Sequence, residues 1–360
     1  MGAVAVVPGR RDSLHVRGDV PAPRAQGDEV LVRVLETGVC GTDAEIHQGL
    51  YGQAPEGCDY LVLGHENLGR VDWCPAAAGL RKGDLVVSTV RRGCPERCRA
   101  CVSDQNDMCL TGHFLERGIG GLHGFMCEVY AESPLYLVRL PEALRAAAVL
   151  LEPLSIVEKG VEQALRFHQR VTWQPRKAVV LGAGPVGLLA ALVLRLRGLE
   201  VHVASRDPEG SARDHLLREV GVRYVSTGGD PDLAGLAERV GRIDVVFEAT
   251  GATAVVVPSM RILGPNGVCI LSSVTPGRKA LEVDVAGWNR EMVLGNRLAF
   301  GTVNAGRRHF EAGVRDMEAA EERFAGWLAR LVTRRRPYQE AAAALEKGPD
   351  DVKVVLEFSR

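Results

Sequence analysis

The sequence predicts a two-part α/β chain: a β-rich part, then a doubly wound parallel sheet, then a return to the first part. Three observations carry this. Short alternating polar and apolar runs with frequent glycines fill the stretch before residue 155. From residue 178 apolar runs alternate with helical patterns, as in a parallel sheet with crossover helices. A G-x-G-x-x-G turn at 182–187 joins the first of those strands to the first of those helices. The length of 360 residues fits two domains, and 46% hydrophobic residues suffice for a core in each.

The elements follow in order. Positions 29–34 (EVLVRV) alternate as a half-buried strand does, and 85–90 (LVVSTV) follow the turn Lys82-Gly83-Asp84 as another. Positions 156–170 (IVEKGVEQALRFHQR) space their apolar residues helically. Strands are then predicted at 178–181, 200–204, 224–225, 243–247 and 268–272, the last after the turn Gly264-Pro265-Asn266-Gly267. Helices are predicted at 186–197, 212–220 and 232–240. One long helical pattern at 309–331 and a strand at 352–358 close the chain. This places one domain at 1–157 and 297–360, and the other at 158–296.

Charge and composition exclude several classes. Lys and Arg number 44 against 45 Asp and Glu, so no basic excess points to nucleic acid or an anionic membrane surface. The first residues lack a basic segment and a cleavage site, and Val6 breaks the myristoylation pattern. The most apolar run, 186–194, is cut off by Arg195 and Arg197, too short to span a bilayer. A cytoplasmic protein is expected. Of nine cysteines, four crowd between Cys94 and Cys109, which without an export signal favours metal over disulfides.

The turn Gly182-Ala183-Gly184-Pro185-Val186-Gly187 follows a strand and opens a helix. Gly182 permits the tight turn, Gly184 lets the backbone approach a pyrophosphate, and Gly187 lets helix and strand pack closely. The helix start offers free N–H groups and a positive dipole end. A ligand-free glycine turn is the bland alternative. At the end of the next strand, where a carboxylate would hold a ribose diol, stand Ser205 and Arg206. A hydroxyl and a guanidinium suit a 2′-phosphate, so NADP is expected ahead of NAD. Asp207 follows, and a slip of one residue would make it the ribose ligand.

Cys40, His65 and Glu152 offer a thiolate, an imidazole and a carboxylate, as a catalytic zinc with one open position requires. Taken singly, Cys40 reads as a small buried residue, His65 as an interior histidine and Glu152 as a cap or ion-pair partner. Cys94, Cys98, Cys101 and Cys109, spaced C-x3-C-x2-C-x7-C in a lobe at about 92–112, suit a closed structural zinc site. Free thiols, or a redox pair at Cys98 and Cys101, are the alternative.

The combination of Gly64-His65-Glu66-Asn67-Leu68-Gly69, a four-cysteine lobe and a later G-x-G-x-x-G resembles the zinc-containing medium-chain dehydrogenase/reductase superfamily. Pro75 stands where a glycine or alanine is expected, and one extra residue separates Cys94 from Cys98. Narrower segments resemble its archaeal-type glucose dehydrogenases. They include Val90-Arg91-Arg92, Phe114-Leu115-Glu116-Arg117, Gly121-Leu122-His123-Gly124-Phe125-Met126, Glu152-Pro153-Leu154-Ser155 and Gly301-Thr302-Val303-Asn304.

The resemblance implies a GroES-like β domain beside a Rossmann domain. It implies catalytic zinc on Cys40, His65 and Glu152, with Glu66 close enough to join. It implies that Thr42, Glu66, Glu116, Glu152 and Asn304 contact the hydroxyls of an aldose such as glucose, galactose or xylose, and that the chain forms a homodimer or homotetramer. Thr42 would start a proton path, Glu66 would compete as the base, and Asp43 would hold the second nitrogen of His65. The rival readings are a polyol or secondary-alcohol dehydrogenase, a zinc-lobe module for nucleic acid, and a silent NADP sensor.

Overall fold

A computed structural model describes residues 1–167, 169, 172–228, 233–275 and 280–358. These form two units, one of Met1–Ser155, Asn304–Glu318 and Leu328–Arg360, the other of Ile156–Val303 and Ala319–Trp327. Among the described residues no helix is long and apolar enough to cross a membrane.

The first unit is organised by the strand Val30–Val39, longer than the alternating run predicted at its start. Val30, Val32 and Val34 are fully buried while Arg33 faces solvent, the period-two pattern of a sheet with one covered face. The sheet runs Leu137–Leu140, Leu85–Ser88, Glu66–Trp73, Val30–Val39, Lys353–Glu357, Val332–Pro337, and Val129–Glu132 also pairs with Val30–Val39. The last two strands in that order are parallel, and the other neighbours antiparallel. The charged strand Val332–Pro337 (VTRRRP) has no apolar alternation, which is why sequence reasoning passed over it.

The register matters for the site. Gly38 pairs with Glu66 on one side, and Val39 with Val354 on the other. Glu66 and Lys353 therefore flank the same end of the strand that separates them. A Cβ on Gly38 would lie 1.9 Å from Oε2 of Glu66, so only glycine there leaves room for the glutamate to turn across the strand.

The second unit is a six-stranded parallel sheet in the order Arg223–Ser226, Glu200–Ser205, Lys177–Leu181, Val245–Glu248, Val268–Leu271, Leu298–Gly301. The strand order reverses at Lys177–Leu181, and in such sheets ligands bind beyond the carboxyl ends of the strands at that point. The helix Pro185–Leu196 starts there with proline in its first turn and buries Gly187 through Leu194.

Three boundaries differ from the sequence reading. The strand Leu298–Gly301 still pairs in the parallel sheet, so this unit runs to Val303 rather than ending at 296. Its four residues are too short a run to show a period of their own. The helical pattern at 309–331 is broken into Arg307–Arg323 and Trp327–Arg330, with Gly326 at a φ of 74° between them. The helix predicted at 156–170 begins earlier, as Leu151–Phe167, so Glu152 belongs to its first turn. Its predicted end at Arg170 and the predicted helix start at Asp232 lie outside the described residues.

Candidate functional site

Cys40 ends the central strand and caps the short helix Gly41–His47. The carboxylate of Asp43, inside that helix and fully buried, accepts the Cys40 backbone N–H at 2.9 Å through Oδ2. This reach-back fixes the loop that presents Cys40. His65 directly precedes the neighbouring strand and Glu66 starts it, and their ligand atoms meet that of Cys40, all within 4.8 Å of one another. Asp43 Oδ1 stands 3.8 Å from His65 Nδ1, and both atoms are buried without a hydrogen-bond partner. The predicted Asp43–His65 relationship is thus present as proximity, not as a formed bond. Glu152 is also buried, but its carboxylate is outside the group that meets within 4.8 Å, where Glu66 stands instead.

The pocket gathers acidic groups around His65 and Lys353. Burial pushes the Glu152 carboxyl up to about 7, and the charges of Glu66 and Asp43 add to that rise against the pull of His65 and Lys353. Burial alone would lower the His65 pKa, yet Cys40, Asp43 and Glu152 together raise it well above its usual value. A thiol, an imidazole and a carboxylate that meet here, with the buried Glu152 near enough to act on His65, match the donors of a catalytic zinc. Sequence reasoning did not find Lys353. Its Nζ donates to both oxygens of Glu66, at 2.6 and 2.5 Å, in a buried pair. The available signal was a lone lysine inside the apolar run 352–356.

The four sulfurs of Cys94, Cys98, Cys101 and Cys109 also lie within 4.8 Å of one another, and all nine cysteines are free. Backbone N–H groups of Cys94, Cys98 and Leu110 point at sulfurs 3.3 to 3.5 Å away. The Thr111 hydroxyl brings Cys109 down to about 6, whereas burial pushes Cys101 up to about 12. Such a group becomes four thiolates only around a shared cation, which fits a structural zinc. Between Cys94 and Cys98, Arg97 takes the left-handed conformation with φ at 48°.

Glu116 and Asn304, predicted as sugar contacts, come together: Asn304 Nδ2 donates to Glu116 Oε1 at 3.2 Å. Arg91 donates to the same oxygen through Nε and Nη2 at 3.1 and 2.9 Å. Thr42 Oγ1 lies 3.9 Å from Cys40 Sγ, beside the group formed by Cys40, His65 and Glu66.

In the second unit a cavity of about 520 Å³ is lined by Gly182, Ala183 and Gly184 and by Ser205, Arg206, Asp207 and Arg213, among others. Gly182 has φ at 101°, and a Cβ on Gly187 would lie 2.0 Å from the Gly182 carbonyl oxygen. Those are the turn and the close packing expected of the motif. Pro185, Val186 and Gly187 sit in the first turn of the helix rather than on the cavity wall. Arg213, on the helix Ala212–Glu219, was not anticipated; its Nη1 donates to Asp207 Oδ2 at 2.7 Å. One carboxylate oxygen of Asp207 is therefore already engaged by a guanidinium.

Comparison with known proteins places the whole chain. The alcohol dehydrogenase GroES-like domain matches residues 26–142, and the glucose dehydrogenase C-terminus matches residues 145–358. Glucose 1-dehydrogenase of Methanocella arvoryzae is 44% identical over 359 residues, covering 99% of each chain. That of Thermoproteus tenax is 43% identical over 364 residues, again covering 99% of each. Among solved structures, Haloferax mediterranei glucose dehydrogenase in complex with NADP, Zn and gluconolactone superposes with a TM-score of 0.91, at 36% identity over 100% of both chains. The chain belongs to the glucose 1-dehydrogenase family of the medium-chain, GroES-like dehydrogenases.

Proposed function

We propose that this chain oxidises an aldose, D-glucose first among them, at C1 to the lactone, with hydride transfer to NADP in preference to NAD. The observation that carries the reading is the meeting of the ligand atoms of Cys40, His65 and Glu66 within 4.8 Å of one another, with His65 and Glu66 buried and Cys40 half-buried. Family membership along the whole chain supports it. Cys40 and His65, with Glu152 or Glu66, would hold the zinc. Zinc when bound polarises the C1 hydroxyl, and NADP supplies the hydride acceptor.

The residues do the rest. Thr42 Oγ1 takes up the hydroxyl proton and passes it toward solvent. Glu66 is the weaker candidate for base, because Lys353 donates to both of its oxygens and holds it as an anion. Glu116 accepts a hydrogen bond from a ring hydroxyl through Oε2, while Asn304 steadies Oε1. A site built from such bonds rejects a sugar lacking the hydroxyl far better than an apolar pocket does. Gly182 and Gly184 admit the pyrophosphate, and Ser205, Arg206 and Arg213 surround the 2′-phosphate.

The protein works in the cytoplasm as a homodimer or homotetramer. Leu298–Gly301 is an edge strand of the parallel sheet, and nearby Val293 and Leu294 are 64% and 78% exposed, which supports assembly through that edge. Light scattering on eluted protein tests this, and a monomer would refute it.

The experiment for the activity is a set of initial rates with D-glucose, D-galactose, D-xylose, sorbitol and a secondary alcohol, each with NADP and with NAD, before and after chelation. Fast aldose oxidation that chelation abolishes is expected. Turnover confined to sorbitol or the simple alcohol would refute the aldose assignment.

A further inference from the structure

The short strands Arg91–Arg92 and Leu115–Arg117 pair so that Arg91 lies directly opposite Glu116. The Arg91 guanidinium, 8% exposed, has each of its edges occupied. Nε and Nη2 meet Glu116 Oε1, Nη1 donates to the carbonyl of Asp107 at 3.0 Å, and the Phe114 ring centroid lies 3.6 Å from Cζ. With Asn304, three N–H groups converge on Oε1. Among the described residues none is seen to donate to Oε2. The result is a carboxylate held in one orientation with a single oxygen left to accept from a ligand, which lowers the entropy lost on binding.

Asp107 connects this arrangement to the four-cysteine lobe. It lies in the turn Asn106–Met108, just before the last cysteine of the lobe, and is buried. The same residue closes on the segment carrying Asn304: a Cβ on Gly306 would lie 2.8 Å from Asp107 Oδ1. The lobe thus abuts both residues read as sugar contacts, through Arg91 on one side and Gly306 on the other.

We propose that Arg91 is a positioning residue of the sugar site, which anchors Glu116 to the four-cysteine lobe and leaves Oε2 for a sugar hydroxyl. The inference rests on the reading of Glu116 as a sugar contact. It makes the lobe a determinant of sugar affinity as well as a folding unit.

The test uses the full-length, zinc-loaded enzyme and the variants Glu116→Gln, Arg91→Gln, Arg91→Lys and the double variant Arg91→Gln/Glu116→Gln. Glucose KM and kcat are measured at saturating NADP, with zinc content and NADP KM as controls. Arg91→Gln is expected to raise glucose KM about tenfold, with kcat within about twofold of the parent and zinc content unchanged. The double variant is expected to be little worse than either single one, because both remove the same interaction. Arg91→Lys recovers only part of the loss, since an ammonium cannot present the fork.

Should Arg91→Gln not fold, Phe114→Leu loosens the guanidinium without touching Glu116, and the same rise in KM is expected. An unchanged KM in Glu116→Gln would refute the sugar contact itself. A raised KM there with an unchanged KM in Arg91→Gln, or simple additivity in the double variant, would overturn the role of Arg91. Gly306→Ala, which crowds Asp107, is expected to raise KM severalfold, and no change would detach the lobe from the sugar site.

Discussion

Lys353 and Glu66 are 287 residues apart in the chain and form a buried ion pair, with Nζ 2.6 and 2.5 Å from the two carboxylate oxygens. Each is 2% exposed at its side chain. Burial opposes both charges, yet their mutual attraction holds Glu66 below its usual range and Lys353 above its own. Removing one partner leaves the other charge buried alone. Lys353→Met should destabilise the protein by about 3–5 kcal/mol, and Lys353→Met/Glu66→Gln by less. Guanidinium melts of the two variants check this; a double variant as damaged as the single one would contradict it.

Gly38 makes that pair sterically possible. The Cβ of Gly38→Ala would meet Oε2 of Glu66 at 1.9 Å, so the carboxylate must move. The expected outcome is lower zinc content at the catalytic site and lower stability, read by metal analysis after dialysis and by thermal melting.

Cofactor choice should depend on a residue outside the glycine motif. Arg213 lines the cavity beside Ser205 and Arg206 and is paired with Asp207. Arg213→Ala should weaken binding of 2′,5′-ADP about tenfold or more while leaving 5′-AMP nearly unaffected. Calorimetric titration of both ligands decides it. Equal affinity of the parent for the two would remove the NADP preference altogether.

Arg97 holds a left-handed backbone conformation that costs a non-glycine residue about 1–2 kcal/mol. Arg97→Gly should raise the melting temperature by a few degrees without altering the zinc content. A fall in either would show that the arginine side chain has a role of its own in the lobe.

Glu132 supplies a pH dependence away from the metal ligands. Burial opposes its charge, but Arg92 and Arg117 outweigh this and hold the carboxyl below its ordinary 4.5. Arg117 donates to Oε2 at 3.0 and 2.9 Å, and Arg92 donates to the same oxygen. A carboxylate whose folded pKa lies below its unfolded one stabilises the fold above the unfolded value, and that stability is lost as pH falls through the folded value. Glu132→Gln should therefore be clearly less stable at pH 7, and its deficit should shrink in acid below about 4.5. Urea midpoints across that range check the sign.

The division between what was legible and what was not follows the range of the interactions. The turn at 182–187 and the cysteine group at 94–109 are local, so their spacing alone dictates a phosphate-sized turn or a cluster of thiols. Cys40, His65 and Glu152 were singled out by their donor types, and Glu116 and Asn304 only through the resemblance. Lys353, Arg91 and Arg213 were not. Their meaning comes from partners on other strands or helices, and a lysine in an apolar strand or an arginine in a surface-like helix looks the same with or without such a partner. By itself the sequence determined the alternation of elements, the glycine turn and the inventory of ligands. Only the tertiary structure decided which carboxylate meets Cys40 and His65, which cation neutralises it, and which oxygen of Glu116 stays open. Strand register sets those contacts, with Gly38 leaving room for Glu66, and which residues a register brings opposite one another is not encoded in any local run.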